Sequence, residues 1–417
     1  MNRESPMRQQ LCDRFFRYVA VSSQSDAANG IVPSSEGQRT LSLLLADELR
    51  ALGLVDVKTN AQAITTARLP ATSGHEAAPT IGFIAHLDTV DVNLSPEIHP
   101  HIVRGYAGGD ICLNAERDIW LRVAEHPEIE RYIGDDIIVT DGTSVLGADD
   151  KSAIASIMTA LDSMQREGIA HGEVRIAFVP DEEIGLRGAK VLDLADFPVD
   201  YAYTLDCCGI GELCYETFNA AHAHLHIDGV PAHPMSAKGV LVNPNLVAVD
   251  VANLLDRLQT PENTADREGY IWLNGMSGNQ SYATLDFSIR DHDRGGFAAK
   301  KAYLQQVVDV VQARYPRAKL ALTISDTYAN IRDAVTDANR HAIDHIFTAM
   351  KNLGIEPQPF AMRGGTDGSE LSARGVLTPN IFTGAHNFHS PCEFLPLRSF
   401  AKACEMVIEL CRLATRH

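Results

Sequence analysis

Acidic and imidazole side chains recur at the ends of apolar runs in this chain. Gly147-Ala148-Asp149-Asp150-Lys151-Ser152 sets two adjacent carboxylates between a β-like run (136–140) and a long helical pattern. A helix N-terminus favours anions, so a carboxylate there can bridge cations, although Asp-Asp before a helix is also an ordinary capping arrangement. The run TIGFIAHLDTV (80–90) suits a strand buried on both faces and ends on His86 and Asp88. EVRIAFVP delivers Asp181-Glu182-Glu183, DYAYTLD (200–206) ends on Asp206, and NIFTGAHNFHS (380–390) supplies a short strand followed by His386 and His389.

Such groups suit metal-assisted hydrolysis. A two-cation site needs nitrogen and oxygen ligands, a bridging carboxylate and open positions for water and substrate. It also needs a carboxylate outside the ligand set to take the proton from that water. His86, Asp149, Glu183, Asp206 and His389 can fill five ligand positions, and Glu182 can be the base. Asp88 can fix the tautomer of His86 through its other ring nitrogen, as metal-bound histidines usually require. Each fragment alone has a plainer reading. A His-x-Asp at a strand end is commonly a buried hydrogen-bonded pair, and Glu-Glu there is commonly a solvated turn. The spacings of 63, 34, 23 and 183 residues between successive candidate ligands form no compact metal motif. Open α/β sheets, however, place ligands in the crevice beyond the carboxyl ends of their strands, where remote residues can converge.

The elements that must position these groups read as follows. Residues 5–20 are helical, and Ser35-Glu36-Gly37-Gln38 fits a capping box opening a helix that stops at Gly53. LVDVKT and QAITTARL are short strands, 91–137 is irregular with one charged helix-like piece, and a helix covers about 151–166. Between about 211 and 329 the pattern changes: HAHLHIDG alternates with period two, 244–259 and 296–314 are helical, and YIWLNGMSG, SYATLDFSIRD and AKLALTISD are strands. Helices then cover 334–353 and 397–414. The fold class expected is α/β: a catalytic domain with a mixed, mostly parallel sheet (1–210 and 330–417) and an inserted α+β lid or dimerisation domain (211–329).

Composition narrows the partners. A chain of 417 residues exceeds what one core usually serves. Its formal charge of −18 argues against nucleic acid or an anionic membrane surface as partner. No apolar run approaches the ~20 residues that span a bilayer, and the first twenty residues have no secretory apolar region. Eight scattered cysteines, with one vicinal pair (Cys207-Cys208) and no CxxC, suit reduced thiols, so a cytoplasmic location is expected.

HLDTV, GADDK, PDEEIG, the strand-end Asp206 and the HxxxE of His389–Glu393 resemble the zinc-dependent exopeptidase and amidohydrolase family that includes carboxypeptidase G, acetylornithine deacetylase and succinyl-diaminopimelate desuccinylase. The match runs through nearly the whole chain in order. YAGGDI, TDGTSVLGADDKS, GELCYETFNAAHA, AHPMSAKGVLVN, RGGTDGSELSARG and FTGAHNFHS resemble in particular its peptidase T branch, the tripeptide aminopeptidases. The resemblance implies two Zn2+ per subunit, with Co2+ or Mn2+ as possible substitutes. It puts His86, Asp149 and Asp206 on one ion and Asp149, Glu183 and His389 on the other, with a cis peptide between Asp149 and Asp150. It implies that His233 reaches a neighbouring subunit's active site to stabilise the oxyanion, so a homodimer is expected. It also implies that Arg290, Arg363 and Asn243 bind a short peptide substrate, the arginines at its carboxylate end. The runner-up within this fold is a dipeptidase or N-acyl amino-acid deacylase; a non-catalytic zinc-binding protein is a further alternative.

Three features stand apart. His222, His224 and His226 alternate on one strand with Ala223, Leu225 and Ile227 on its other face, which reads as a half-buried strand rather than a metal cluster. Cys207-Cys208 departs from the small residues usual in peptidase T relatives, and 112–134 diverges from their pattern. His386 is a rival to His389, but the HxxxE spacing favours His389.

Overall fold

The structure, a computed structural model, describes residues 6–416, so the first residues of the expected domain and the expected helical start at Ser5 lie outside the described residues. The chain forms two compact units: one holds the chain up to Tyr215, Ala334–Phe360 and the chain from Thr366 on, the other Glu216–Asp333 with Ala361–Gly365. The division thus falls at 215/216 and 333/334 rather than 210/211 and 329/330. The reason is hydrogen bonding. Glu212–Cys214 is a strand of the first unit's sheet, paired with Asn380–Phe382 and Gln358–Pro359. The short return 361–365 is held in the second unit, where Glu216 O accepts from Met362 N and Gly364 O from Phe218 N.

The first unit is built on an eight-stranded sheet in the order Val55–Thr59, Thr65–Leu69, Val174–Val179, Ile81–His86, Tyr201–Cys207, Asn380–Phe382, Glu212–Cys214, Gln358–Pro359. The four strands from Val174–Val179 to Asn380–Phe382 run parallel, and antiparallel pairs flank them. All six residues of Ile81–His86 are buried, as a continuous apolar run in a parallel sheet requires. Gly82 is needed there for its size: a Cβ would lie 2.4 Å from the Phe197 ring. Helix Ala148–Glu167 packs on the strands ending at His86 and Cys207 and on helices Pro6–Val19 and Leu397–Ala414. Its small residues Ala153, Ser156 and Ala160 are fully buried, which allows that close packing, and Gly168 in the left-handed region ends it.

Several local expectations change. Ser35 does open helix Glu36–Ala51, but its side chain makes no cap bond. Gln38 instead reaches Asp181, donating to Oδ1 at 2.6 Å and accepting from Asp181 N at 2.9 Å. Ile137–Val139 is a strand of a separate three-stranded sheet with His101–Val103 and Phe394–Pro396, not of the main sheet. Within 91–137 a hairpin (Ile111–Asn114 with Ile119–Leu121) and a single 3-10 segment, Pro127–Tyr132, replace the expected helix-like piece. The helix expected over 334–353 covers only His341–Asn352.

The second unit is an antiparallel sheet in the order Tyr270–Gly278, Tyr282–Asp291, Asn219–Asp228, Lys319–Tyr328. Helices Pro244–Leu254 and Arg294–Arg314 cover one face, where Ala223, Leu225, Ile227, Val247, Val251, Leu285, Phe287, Val307 and Val311 form the core. The first of these helices ends at Leu254 and not 259, giving way to short 3-10 turns. His222, His224 and His226 lie on the opposite, solvated face, where His224 Nδ1 is 2.8 Å from Asp286 Oδ1 and His226 Nε2 is 3.0 Å from Asp228 Oδ1. That is the half-buried strand read from the alternation.

Candidate metal centre

Three parallel strands of the first unit end together, and each hands a different side chain to one place. His86 closes its strand, Asp206 lies one residue before the end of Tyr201–Cys207, and Glu182-Glu183 follow Val174–Val179 after a sharp turn. The fourth contribution is the start of helix Ala148–Glu167, where Asp149 and Asp150 have non-helical backbone angles and the peptide between them is cis. His389 comes from the loop beyond Asn380–Phe382.

Two donor groups result: His86, Asp149, Asp150 and Asp206, and Asp149, Glu183 and His389, with the ligand atoms of each group within 4.8 Å of one another. Asp149 belongs to both. Its Oδ1 is 2.9 Å from His86 Nε2 and its Oδ2 is 3.0 Å from His389 Nε2, so each oxygen faces one imidazole. Glu183 Oε1 lies 2.9 Å from the same His389 nitrogen.

These contacts test whether cations fit. His86 Nδ1 donates to the Asp88 carbonyl at 3.0 Å, so a neutral ring presents a lone pair, not a proton, to Asp149 Oδ1. The single proton on His389 Nε2 likewise cannot serve both Asp149 and Glu183. Among the described residues, Asp150 Oδ1 and both oxygens of Asp367 are buried without a hydrogen-bond partner. Such oxygens are costly unless cations share the space, and the nitrogen–oxygen donor set is one that divalent zinc, cobalt or manganese accepts. The residues fit a pair of divalent ions.

Electrostatics report the same crowding. Burial pushes Glu182 and Asp206 well above the usual carboxyl range, reinforced for Glu182 by the charges of Asp206, Asp367 and Glu183. Burial and the Asp149 charge raise Glu183 to about 7. Burial opposes ionisation of Asp149 too, yet the His389 and His86 rings, when each carries a second proton, donate to its carboxyl and hold it well below the usual range. Burial disfavours a charged His389, but the contacts with Asp149 and Glu183 win and raise it to about 11.

Asp88 does more than stand at the His86 ring. Its carboxylate stands 3.4 Å from His86 Nδ1, whose closer partner is the Asp88 main chain. Its two oxygens instead accept the backbone N–H groups of Glu182 (3.0 Å) and Glu183 (3.2 Å), fixing the turn that carries both acids. Asp181, in the left-handed region at φ 59°, clamps that turn from the other side through Ser34 and Gln38. Sequence reasoning gave no role to three buried acids here. Asp150 accepts from His86 N at 3.1 Å and is adjacent to Asp149 in the same motif. Asp367 stands in GGTDG, and Glu393 ends HxxxE. His386, the rival ligand, is occupied elsewhere: its Nε2 is 2.6 Å from the Tyr132 hydroxyl, and its ring stacks on Phe394.

His233, Asn243, Arg290 and Arg363 belong to the second unit. His233 is exposed, with Nδ1 accepting from Met235 N at 3.2 Å. Asn243 caps helix Pro244–Leu254 through Oδ1, which leaves its NH2 group over. Arg290 Nη1 donates to Ala221 O and Ile289 O, and the guanidinium lies over the Tyr328 ring. Arg363 is more deeply committed. It donates to Asp266 O, Glu268 O and Thr264 Oγ1 and sits against the rings of Phe218 and Tyr270.

The fold and this centre describe a metal-dependent hydrolase, and comparison with known proteins makes the class specific. Residues 146–413 match the model of peptidase family M20/M25/M40, and the chain belongs to that family. A peptidase T-like protein of Yersinia pestis is 55% identical over 410 residues, 98% of this chain and 99% of that protein. Peptidase T of Geobacillus thermodenitrificans is 42% identical over 408 residues, 98% of each chain. Among solved structures, aminopeptidase PepT from Bacillus cereus superposes with a TM-score of 0.77 at 21% identity, covering 98% of this chain and 99% of that one. The chain is thus an enzyme, a peptidase of the aminopeptidase type, and the resemblance read from its motifs holds. No described helix is long and apolar enough to cross a membrane.

Proposed function

We propose that this protein removes the N-terminal residue from short peptides, tripeptides above all, at a centre of two zinc ions. The observation that carries the reading is Asp149, whose two oxygens face His86 and His389 at 2.9 and 3.0 Å as a bridging carboxylate must. His86, Asp149 and Asp206 would hold one ion, and Asp149, Glu183 and His389 the other. When bound, the ions supply Lewis acidity, lowering the pKa of water and polarising the scissile carbonyl. Glu182 takes the proton from the attacking water and delivers it to the leaving amine. Its buried, acid-crowded setting raises its proton affinity toward what that exchange needs. Arg290, with donors to spare, and the free NH2 of Asn243 bind the far end of the peptide. Arg363, its fork spent on three acceptors of its own unit, shapes that subsite instead of gripping a carboxylate.

His233, in this reading, serves the active site of a second subunit as an oxyanion donor, which requires at least a dimer. Exposed apolar side chains that follow it in the chain support that assembly: Met235, Val240, Leu241, Leu246 and Val249 are 89, 45, 41, 59 and 41% exposed. Apolar exposure concentrated in one segment favours association. The relatives named peptidase T support the tripeptide preference.

The test is metal content followed by turnover of a tripeptide, a dipeptide and an N-acetyl amino acid in parallel. The tripeptide should be cleaved fastest. Glu182→Ala, still carrying two metals, should lose about 10²–10⁴-fold in kcat, the usual worth of a general base. An undiminished rate in that variant refutes the mechanism, and preference for the N-acetyl substrate replaces the aminopeptidase reading with a deacylase.

A further inference from the structure

Glu393 is 1% exposed and belongs to neither donor group, yet its carboxylate reaches the loop that carries Asp149. Its Oε2 accepts the N–H groups of Leu146 at 2.7 Å and Gly147 at 2.9 Å, and its Oε1 accepts that of Asp149 at 3.1 Å. Among the described residues these amides have no backbone acceptor. Helix Ala148–Glu167 starts from Gly147 in the left-handed region at φ 72°, without a side-chain cap of its own, and Asp149 and Asp150 depart from helical angles. The first N–H groups of a helix lack intrahelical partners in any case, so this loop needs an acceptor brought from elsewhere in the chain.

The choice of a carboxylate for that work is informative. Serine, threonine or asparagine caps helices without adding charge, whereas Glu393 is repelled by the nearby Asp149 carboxylate. What the carboxylate offers is two oxygens that only accept, spread widely enough to hold three N–H groups at once. Glu393 also lies four residues beyond His389 and directly precedes strand Phe394–Pro396. It therefore ties the segment that bears His389 to the loop that bears Asp149, the two residues in contact at 3.0 Å.

We propose that Glu393 is a positioning residue for the centre: by gripping the amides of Leu146, Gly147 and Asp149 it fixes the bridging carboxylate relative to His389 and so sets the affinity of the Asp149–Glu183–His389 group for a divalent cation. This rests on the metal-centre reading above. Supporting partners of metal ligands typically contribute 10- to 100-fold in affinity, and Glu393 acts on the ligand through its backbone.

The experiment titrates Co2+ into metal-free wild type, Glu393→Gln and Glu48→Gln, followed by visible absorption and equilibrium dialysis. Glu393→Gln keeps the volume but turns an NH2 group toward a backbone N–H. Glu48→Gln weakens the half-buried Arg14–Glu48 pair elsewhere in the same unit and controls for lost stability. Wild type should take up two equivalents. Glu393→Gln should unfold cooperatively but bind at least one of its two equivalents 10- to 100-fold less tightly, with an altered cobalt spectrum, while Glu48→Gln binds as wild type. Glu393→Asp, which retains both oxygens one methylene short, should recover part of the affinity and makes the same comparison if the glutamine variant does not fold. Cobalt affinity within twofold of wild type in Glu393→Gln overturns the proposal, as does an equal loss in Glu48→Gln. Failure of wild type itself to bind cobalt overturns the metal-centre reading and this inference with it.

Discussion

Replacing Asp88 by asparagine changes almost no volume but removes one acceptor from a buried pair of hydrogen bonds. Asp88 is fully buried, and its oxygens hold Glu182 N at 3.0 Å and Glu183 N at 3.2 Å. A hydrogen bond to a charged group contributes about 1.5–3 kcal/mol. Asparagine keeps one of the two bonds as a neutral interaction and points a donor at the other amide. A loss of about 1.5–3 kcal/mol follows. If it appears as displacement of the Glu182 turn, about 1.4 kcal/mol per decade converts it to roughly 10- to 100-fold in kcat. The contact between His86 Nδ1 and the Asp88 carbonyl is main-chain and survives the change. Asp88→Asn should therefore keep its metal while losing kcat. The assay is kcat and KM on a tripeptide with metal content measured on the same sample. Full metal with kcat within twofold of wild type refutes the turn-anchoring argument. Loss of metal with kcat restored on reloading returns Asp88 to its expected role on the His86 ring.

Two further perturbations probe the frame. Burial lowers His386 to about 4 against an ordinary value of 6.5, so the unfolded chain binds its proton first and stability is lost as pH falls from 6.5 toward 4. The shift corresponds to roughly 3 kcal/mol; His386→Gln should flatten that part of the pH dependence in urea midpoints measured at pH 7, 5.5 and 4.5, and parallel curves for the two proteins disprove it. Arg14, 8% exposed, joins three helices through Glu48 at 2.6 Å, Thr159 at 3.0 Å and Asp162 at 3.2 Å. Arg14→Ala should cost about 1.5–3 kcal/mol by removing charge-assisted bonds to two half-buried carboxylates, read as a lower denaturant midpoint with activity per folded molecule unchanged; a loss below ~1 kcal/mol shows the network is solvated.

What could be read from the sequence, and what could not, divides along a physical line. His86, Asp149, Glu183, Asp206 and His389 were legible because each follows an apolar run that must be a buried strand or opens a helix, and parallel strands bring their carboxyl ends together whatever the spacing between them. The antiparallel second unit was legible for the same reason: His222, His224 and His226 alternate with core residues at a period only a strand satisfies. The amide contacts of Asp88, Gln38 and Glu393 escaped, because an amide leaves no mark in a side-chain pattern. Gln38 looked like a capping-box residue by local spacing, yet Asp181, 143 residues away, won it with a better-placed carboxylate. Glu393 was visible only as the last letter of a motif, while its three acceptor bonds span 244 to 247 residues. Boundaries failed likewise where a long-range partner overrode local pattern, as when Glu212–Cys214 joined the first unit's sheet. The candidate ligands form two donor groups, and buried acceptors hold the main chain beneath them. Substitutions there should move affinity and rate while leaving every ligand in place.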